Sequence, residues 1–282
     1  MDDRLLVFLS RAEQLMQRLE QVLPGLPTAP DWDASIAFRY RRRGSGHAVL
    51  EPVAHIGAMR LDNLQGIDAQ REKIERNTAQ FVRGCVANNV LLTGARGTGK
   101  SSLIRACLHA YADQGLRLIE VDKSDLVDLP DIVDLIAHRP EKFIIFCDDL
   151  SFEDGEPAYK ALKSVLDGSV AAASPNVLIY ATSNRRHLLP EYMDENVEIH
   201  GQEAIEEKIS LSERFGLWIS FYPFGQEEYL QIVAQWLSEL KLSPELIANA
   251  RAEALIWALE RGSRSGRVAL QFARDFAGRQ GL

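Results

Sequence analysis

The chain has 282 residues, 46% of them hydrophobic and 26% charged, with a net charge of −8. This composition excludes collagen-like, disordered and disulfide-scaffold classes and leaves room for one large domain or two modest ones. The charge is uneven: residues 1–60 carry eight Lys/Arg against seven Asp/Glu, and residues 61–282 carry 24 against 33, an acidic body that argues against broad nonspecific duplex binding.

Residues 4–23 read as an amphipathic helix. Leu5, Ala12 and Leu19 recur every seven residues, as do Phe8, Leu15 and Val22, and Leu9, Met16 and Leu23. Three apolar positions per heptad give a broad stripe, suited either to support within the chain or to docking on a partner or second copy. The opening MDDRLLVFLSR has neither a basic n-region nor a cleavage site, so no signal peptide is expected. Pro24-Gly25, Pro27 and Pro30 mark a linker. In the irregular stretch 34–60, SIAFRY has strand character and RRRGSG reads as a turn. Arg39, Arg41, Arg42 and Arg43 form a short basic cluster there, interleaved with Phe38 and Tyr40.

From about Leu61 the chain alternates helix and strand. A helix is predicted over 68–83, then a strand at 89–92 and a helix over 100–114. A strand at 117–122, a helix over 124–138 and a strand at 143–148 follow. Next come a helix over 157–166, a strand at 176–183, a helix over 202–214 and a strand at 218–221. Continuously apolar strands between helices imply a parallel sheet covered on both faces. After Pro223 the pattern is all-helical: 226–240, 244–260 and 264–278. The expected domains are therefore an N-terminal segment 1–60, an α/β core 61–223 and a helical unit 224–282. The longest apolar runs are about five residues, against roughly 20 needed to cross a bilayer, so no membrane span is expected. Cys85, Cys107 and Cys147 are odd in number and lack CxxC spacing, which fits a reducing cytoplasm better than a disulfide framework. The six histidines show no ligand spacing, so no metal beyond Mg²⁺ is expected.

Residues 94–101 read Gly94-Ala95-Arg96-Gly97-Thr98-Gly99-Lys100-Ser101, the GxxxxGK[ST] pattern. Its glycines allow a tight loop whose backbone N–H groups converge on phosphate oxygens, and the following helix, over 100–114, turns its first residues, Lys100, Ser101 and Ser102, to the anion. Lys100 would reach the β- and γ-phosphates, and the Ser101 hydroxyl would ligate Mg²⁺. FIIFCDD, 143–149, ends an apolar strand in two acids beside that loop. Asp148 would hold Mg²⁺ through its water shell, and Asp149 would orient or deprotonate the attacking water.

These motifs resemble those of AAA+ ATPases. The stretches NNVLLTGARGTGKSSL, FIIFCDDLSFEDGE, NVLIYATSNRRHLLPE and EEKISLSERFGLWISFYPF resemble an uncharacterised bacterial family of P-loop ATPases. The resemblance implies an AAA+ α/β module with a five-stranded parallel sheet, order 5-1-4-3-2, and a C-terminal α-helical lid. It implies ATP and Mg²⁺ as ligands and a homo-oligomer as the working form. Asn184, in ATSN, matches the sensor that contacts the γ-phosphate or attacking water. Arg214, in SERFG, matches an arginine finger reaching a neighbouring subunit's site. Arg267 matches a second sensor at the start of a lid helix, with Arg264 as its rival, and LDNLQGIDAQ resembles the entry segment beside the adenine, with backbone near Gly66 and Ile67 against the base.

Two departures stand out. Many AAA+ enzymes carry Glu where this chain has Asp149, which points to slow hydrolysis or to Glu153 in its place. No aromatic-hydrophobic-glycine pore loop lies between residues 122 and 142, which argues against polypeptide threading. The first expectation is an ATPase that couples turnover to remodelling of an unknown protein client. The alternatives are a nucleotide-dependent switch or scaffold with negligible turnover, and a nucleic-acid remodeller using the Arg39–Arg43 cluster.

Overall fold

The computed structural model describes residues 11, 13, 16, 30–42, 48–57, 59–152, 156–167, 174–184 and 213–281. The helix over 4–23 taken as a whole, most of the Pro-rich linker, Arg43 and Glu153 lie outside the described residues. So does almost all of the 202–214 helix.

Seven strands form one sheet: β1 (Ala37–Arg42), β2 (Ala48–Pro52), β3 (Val90–Gly94), β4 (Leu116–Val121), β5 (Lys142–Cys147), β6 (Val177–Ser183) and β7 (Leu217–Phe221). Their spatial order is β2-β1-β4-β5-β6-β3-β7. Every pair is parallel except β1–β2. The five strands expected from sequence lie in the expected 5-1-4-3-2 order, but the count of five is corrected to seven. The two added strands extend the edge at β4, and the arginine run disguised them. In β1, Phe38 and Tyr40 point into the core while Arg41 and Arg42 face water. That is the alternation of a strand, overlaid by charges. Of the charges, Arg39 reaches Glu120 at 2.8 Å, and Arg42 and Tyr40 both bond Asp128. Burial and the bond to Asp128 raise the Tyr40 phenol well above its ordinary pKa.

The helices split the core into two layers. Helices α1 (Asp68–Val82) and α2 (Lys100–Tyr111) cover one face, where Val90, Leu92, Ile144, Phe146 and Tyr180 are buried. Helices α3 (Leu129–Ile136) and α4 (Pro157–Asp167) cover the other, over Leu91, Phe143, Ile145 and Ile179. Successive strand residues thus serve opposite faces, which is why the strands read as unbroken apolar runs. The single helix expected over 124–138 is two pieces, a 3₁₀ stretch Lys123–Asp128 and then α3. Pro130 fits the break: it has no N–H to give, so it sits in the first turn of α3, where that N–H has no partner within the helix, and Asp128 ahead of it leaves α geometry.

Three further helices, α5 (Gln226–Glu239), α6 (Pro244–Glu260) and α7 (Gly266–Arg279), pack together after β7. Ser243 and Ser265 cap α6 and α7, each hydroxyl accepting from the backbone three residues on. Tyr229, fully buried, donates its hydroxyl to the Ala254 carbonyl and ties α5 to α6. Among the described residues, hydrogen bonds tie the unit to the core from Gly266 N–H to the Gly97 carbonyl at 2.8 Å, from Asn63 to Glu239 at 2.7 Å, and from Gln235 to the Asp62 carbonyl at 3.2 Å. No helix among the described residues is long and apolar enough to cross a membrane.

Candidate nucleotide site

A cleft of about 570 Å³ opens where the C-terminal ends of β3, β5 and β6 meet α2, the 59–67 segment and the helical unit. Ligands of α/β sheets collect at that edge because strand ends and helix N-termini converge there.

The β3–α2 loop is shaped by its glycines. At Gly94, φ is +123° and a Cβ would lie 1.9 Å from the Phe221 carbonyl oxygen, so only glycine lets the loop leave the sheet past β7. Gly97 and Gly99 adopt φ of +71° and +96°, the left-handed region open to glycine. Lys100 then starts α2 with its side chain turned back into the loop. Its Nζ donates to the carbonyls of Gly94 and Ala95, both at 2.8 Å, and to Asn184 Oδ1 at 3.1 Å. Burial lowers the Lys100 pKa below its ordinary value, against the pull of Asp148 and Asp149, and Arg96 lowers it further.

Parallel pairing of β5 with β6 sets the acids. Asp148 Oδ1 accepts from Ser101 Oγ at 2.6 Å and from Thr182 Oγ1 at 2.5 Å. The next residue turns sharply: Asp149 has φ of +53°, a conformation a non-glycine residue holds at a cost of about 1 kcal/mol or more. Its N–H donates to Thr182 Oγ1 at 2.9 Å, and its Oδ1 accepts from Asn184 Nδ2 at 2.5 Å. The following N–H, of Leu150, reaches the Thr182 carbonyl at 2.7 Å. Asn184 therefore spans from the lysine ammonium to the second carboxylate, and one threonine holds both acids.

Arg96, Gly97, Thr98, Gly99, Lys100, Ser101, Ser102, Asp148, Asp149, Asn184 and Arg267 all line the cleft. Gly94 and Ala95 lie beneath it, holding Lys100. Of the two rival arginines, Arg267 lines the cleft and Arg264 does not. Arg214 also stands outside the lining and pairs with Asp167 at the end of α4. In the entry segment Leu64 and Ile67 face the cleft, while Gly66 lies outside its lining, against Phe224. The Ser101 hydroxyl and the Asp148 carboxylate are hard oxygen donors beside a lysine, a set that fits a hydrated Mg²⁺ between protein and phosphates. Among the described residues no group of three or more His, Cys, Asp or Glu could hold a metal.

Sequence reading passed over Thr182, Arg105 and Trp236. Thr182 stands in β6 two residues before Asn184, and nothing local marks it, because its partners Asp148 and Asp149 come from the end of β5. Arg105 lies four residues after Ser101 on the same helix face, and its guanidinium reaches 4.0 Å from Asp148 Oδ2 and 3.8 Å from Glu120 Oε1. Trp236 comes from α5, distant in sequence, and nothing local marks it.

Among solved structures, the fold is similar to mutant forms of Thermotoga maritima RuvB. One matches at 17% identity with a TM-score of 0.53, covering 77% of this chain and 63% of that one. A second matches at 18% with a TM-score of 0.51, covering 77% and 64%. This chain thus spans less than two thirds of those RuvB chains. AMPPCP-bound DnaA from Aquifex aeolicus aligns at 17% identity and a TM-score of 0.47, over 69% of this chain and 60% of that one. No curated protein matches the sequence. The likeness to RuvB is one of fold. By sequence, residues 33–280 match the family described as "Protein of unknown function (DUF815)", and the chain belongs to that family.

Proposed function

We propose that this protein binds ATP with Mg²⁺ in the cleft and hydrolyses it to ADP and phosphate at interfaces between copies of itself. The observation that carries the reading is the convergence of Lys100, Ser101, Asp148, Asp149 and Asn184, from three separate elements, on one cleft beside a glycine loop.

In this reading Gly94–Ser102 cradle the phosphates with backbone N–H groups, and Lys100 exchanges its loop carbonyls for phosphate oxygens. Ser101 and Asp148 would hold Mg²⁺, Asp148 through water. When bound, the ion neutralises charge on the phosphate oxygens. Asp149 orients the attacking water and accepts its proton as oxygen attacks the γ-phosphorus and the bond to ADP breaks. Asn184 reports the state of the γ-phosphate to Asp149, because its amide bridges Lys100 and that carboxylate. Arg267, on the first turn of α7, brings charge from the helical unit, which acts as a lid, 224–282, over the core, 61–223. Arg214 completes a neighbour's site. Its position outside its own chain's cleft supports a role in trans. Coupling of turnover to the remodelling of a protein client follows from the same reading.

A second reading, a switch with negligible turnover, is favoured by one observation: Asp149 is a short carboxylate, in a left-handed turn, already committed to Asn184. Nucleic-acid remodelling gains little from the geometry, since Arg39 and Arg42 are neutralised within the chain by Glu120 and Asp128. ATP turnover per subunit, measured as protein concentration rises through the micromolar range, decides between them. A rate that climbs and then plateaus supports assembly of a shared site. Tight ATP binding with no turnover at any concentration supports the switch.

A further inference from the structure

Beside the nucleotide cleft lies a second and larger cavity, of about 870 Å³. It is bounded by β1, the 53–60 segment, the outer side of α2 and helices α5 and α7. It shares Met59, Asn63, Ser102, Arg105, Trp236 and Leu270 with the first cleft but none of the Lys100, Asp148, Asp149 and Asn184 set. Its floor is apolar: Ala37 and Leu118 from the sheet, Phe146 beneath the Arg105 guanidinium at 5.9 Å, and Leu108 from α2.

The walls carry four arginines, Arg39, Arg60, Arg105 and Arg274, against two acids, Glu120 and Glu239. This is a positive basin in a chain of net charge −8. The acids are committed. Glu120 accepts from Arg39 at 2.8 Å, and Glu239 accepts from Asn63 at 2.7 Å and Gln235 at 3.1 Å. Among the described residues no ion pair engages the guanidinium of Arg60 or of Arg274, although the two line the same cavity from opposite sides, one on the 53–60 segment and the other on α7. An apolar lining beneath these guanidiniums suits a molecule with a flat apolar body and a negative group, since the body is buried against the partly exposed Ile56, Met59, Trp236 and Leu270 while the anion meets two forked donors.

We propose that this second cavity binds a small organic anion, an aromatic or aliphatic body carrying one or two negative charges, held by Arg60 and Arg274. Arg105 stands in both walls, within 4.0 Å of Asp148 and 3.8 Å of Glu120. An anion that drew Arg105 toward this cavity would change the charge facing Asp148. That consequence rests on the nucleotide reading, whereas the binding itself does not.

The probe is 8-anilinonaphthalene-1-sulfonate, an aromatic monoanion whose fluorescence rises in apolar surroundings, titrated into the full chain. The expected result is saturable binding at one site per chain, weakened at least about tenfold in R60E/R274E, two exposed positions whose reversal leaves the core intact. Lys100→Ala should leave it unchanged, which separates this cavity from the phosphate loop. The uncharged N-phenyl-1-naphthylamine should bind at least about tenfold more weakly. Equal binding of the neutral probe would show a merely apolar groove and overturn the proposal. So would binding indifferent to R60E/R274E, binding lost in Lys100→Ala, or no binding at all. None of these outcomes depends on whether ATP is a ligand.

Discussion

Replacing Thr182 by Val keeps the shape of a residue that is 2% exposed and removes only its hydroxyl. That oxygen donates to Asp148 at 2.5 Å and accepts from the Asp149 N–H at 2.9 Å. A bond to an ionised carboxylate contributes about 1.5–3 kcal/mol, but the Asp148 side chain is 37% exposed and still holds Ser101, so water recovers part of the loss. The Asp149 N–H is worse placed: it sits in a strained turn and loses its recorded partner, at about 1–3 kcal/mol. The two effects share one atom and do not add in full, giving an expected loss of about 2–3 kcal/mol. Urea unfolding followed by far-ultraviolet circular dichroism reads it directly, and Thr182→Ser, which retains the hydroxyl, should recover most of it. Affinity for Mg²⁺-ATP should fall with the same ranking, because Asp148 and Asp149 lose their common support. A Thr182→Val protein within about 0.5 kcal/mol of the parent, the ordinary scatter of surface substitutions, would refute the view that Thr182 holds the two acids.

Other outcomes follow from the same geometry. Gly97→Ala forces a side chain into φ of +71° and brings a Cβ to 2.8 Å from Ser265 Oγ. Strain of about 1–2 kcal/mol, with loss of the link between loop and α7, should weaken ATP binding about tenfold or more by calorimetry. Arg214→Ala should keep ATP affinity while steady-state turnover falls by about 10³-fold, the scale of an arginine finger. Normal hydrolysis by that variant would exclude a shared site built on Arg214. Cys107 and Cys147 are buried and Cys85 is exposed, so a disulfide reagent at pH 8 should titrate one thiol in the native protein and three in denaturant. Burial pushes both buried thiols from 9.0 up to about 12. In that window the unfolded chain binds fewer protons than the folded one, so the stability they contribute is complete below about pH 9 and lost as pH rises toward 12. Cys107→Ala should flatten that part of the pH–stability curve.

The glycine loop over 94–101 was legible in the sequence because its pattern is local: glycines, lysine and serine lie within eight consecutive residues, and the flanking strand and helix are written in apolar pattern. The acids at the end of β5 and Asn184 at the end of β6 were legible as strand ends. Thr182 was not, since its role exists only once β5 and β6 pair in register and bring it beside Asp148. The edge strands β1 and β2 were half legible. SIAFRY suggested a strand, but charge density in the arginine run read as a turn, and only the pairing of β1 with β4 gives Glu120 and Asp128 as its counter-charges. The break ahead of α3 was written plainly in Pro130. Arg60 and Arg274 could not be associated from sequence, because their shared cavity is assembled from opposite ends of the chain.

The central claim is that the cleft around Lys100 binds ATP. Its most direct test is calorimetric titration of Mg²⁺-ATP into the full chain and into Lys100→Ala, whose fold is checked by circular dichroism. The expected result is saturable binding by the parent and none measurable by the variant, because among the described residues the Lys100 ammonium is the buried cation facing both acids and the loop. Undiminished affinity in a folded Lys100→Ala protein, or a parent chain that does not bind ATP, would contradict the account.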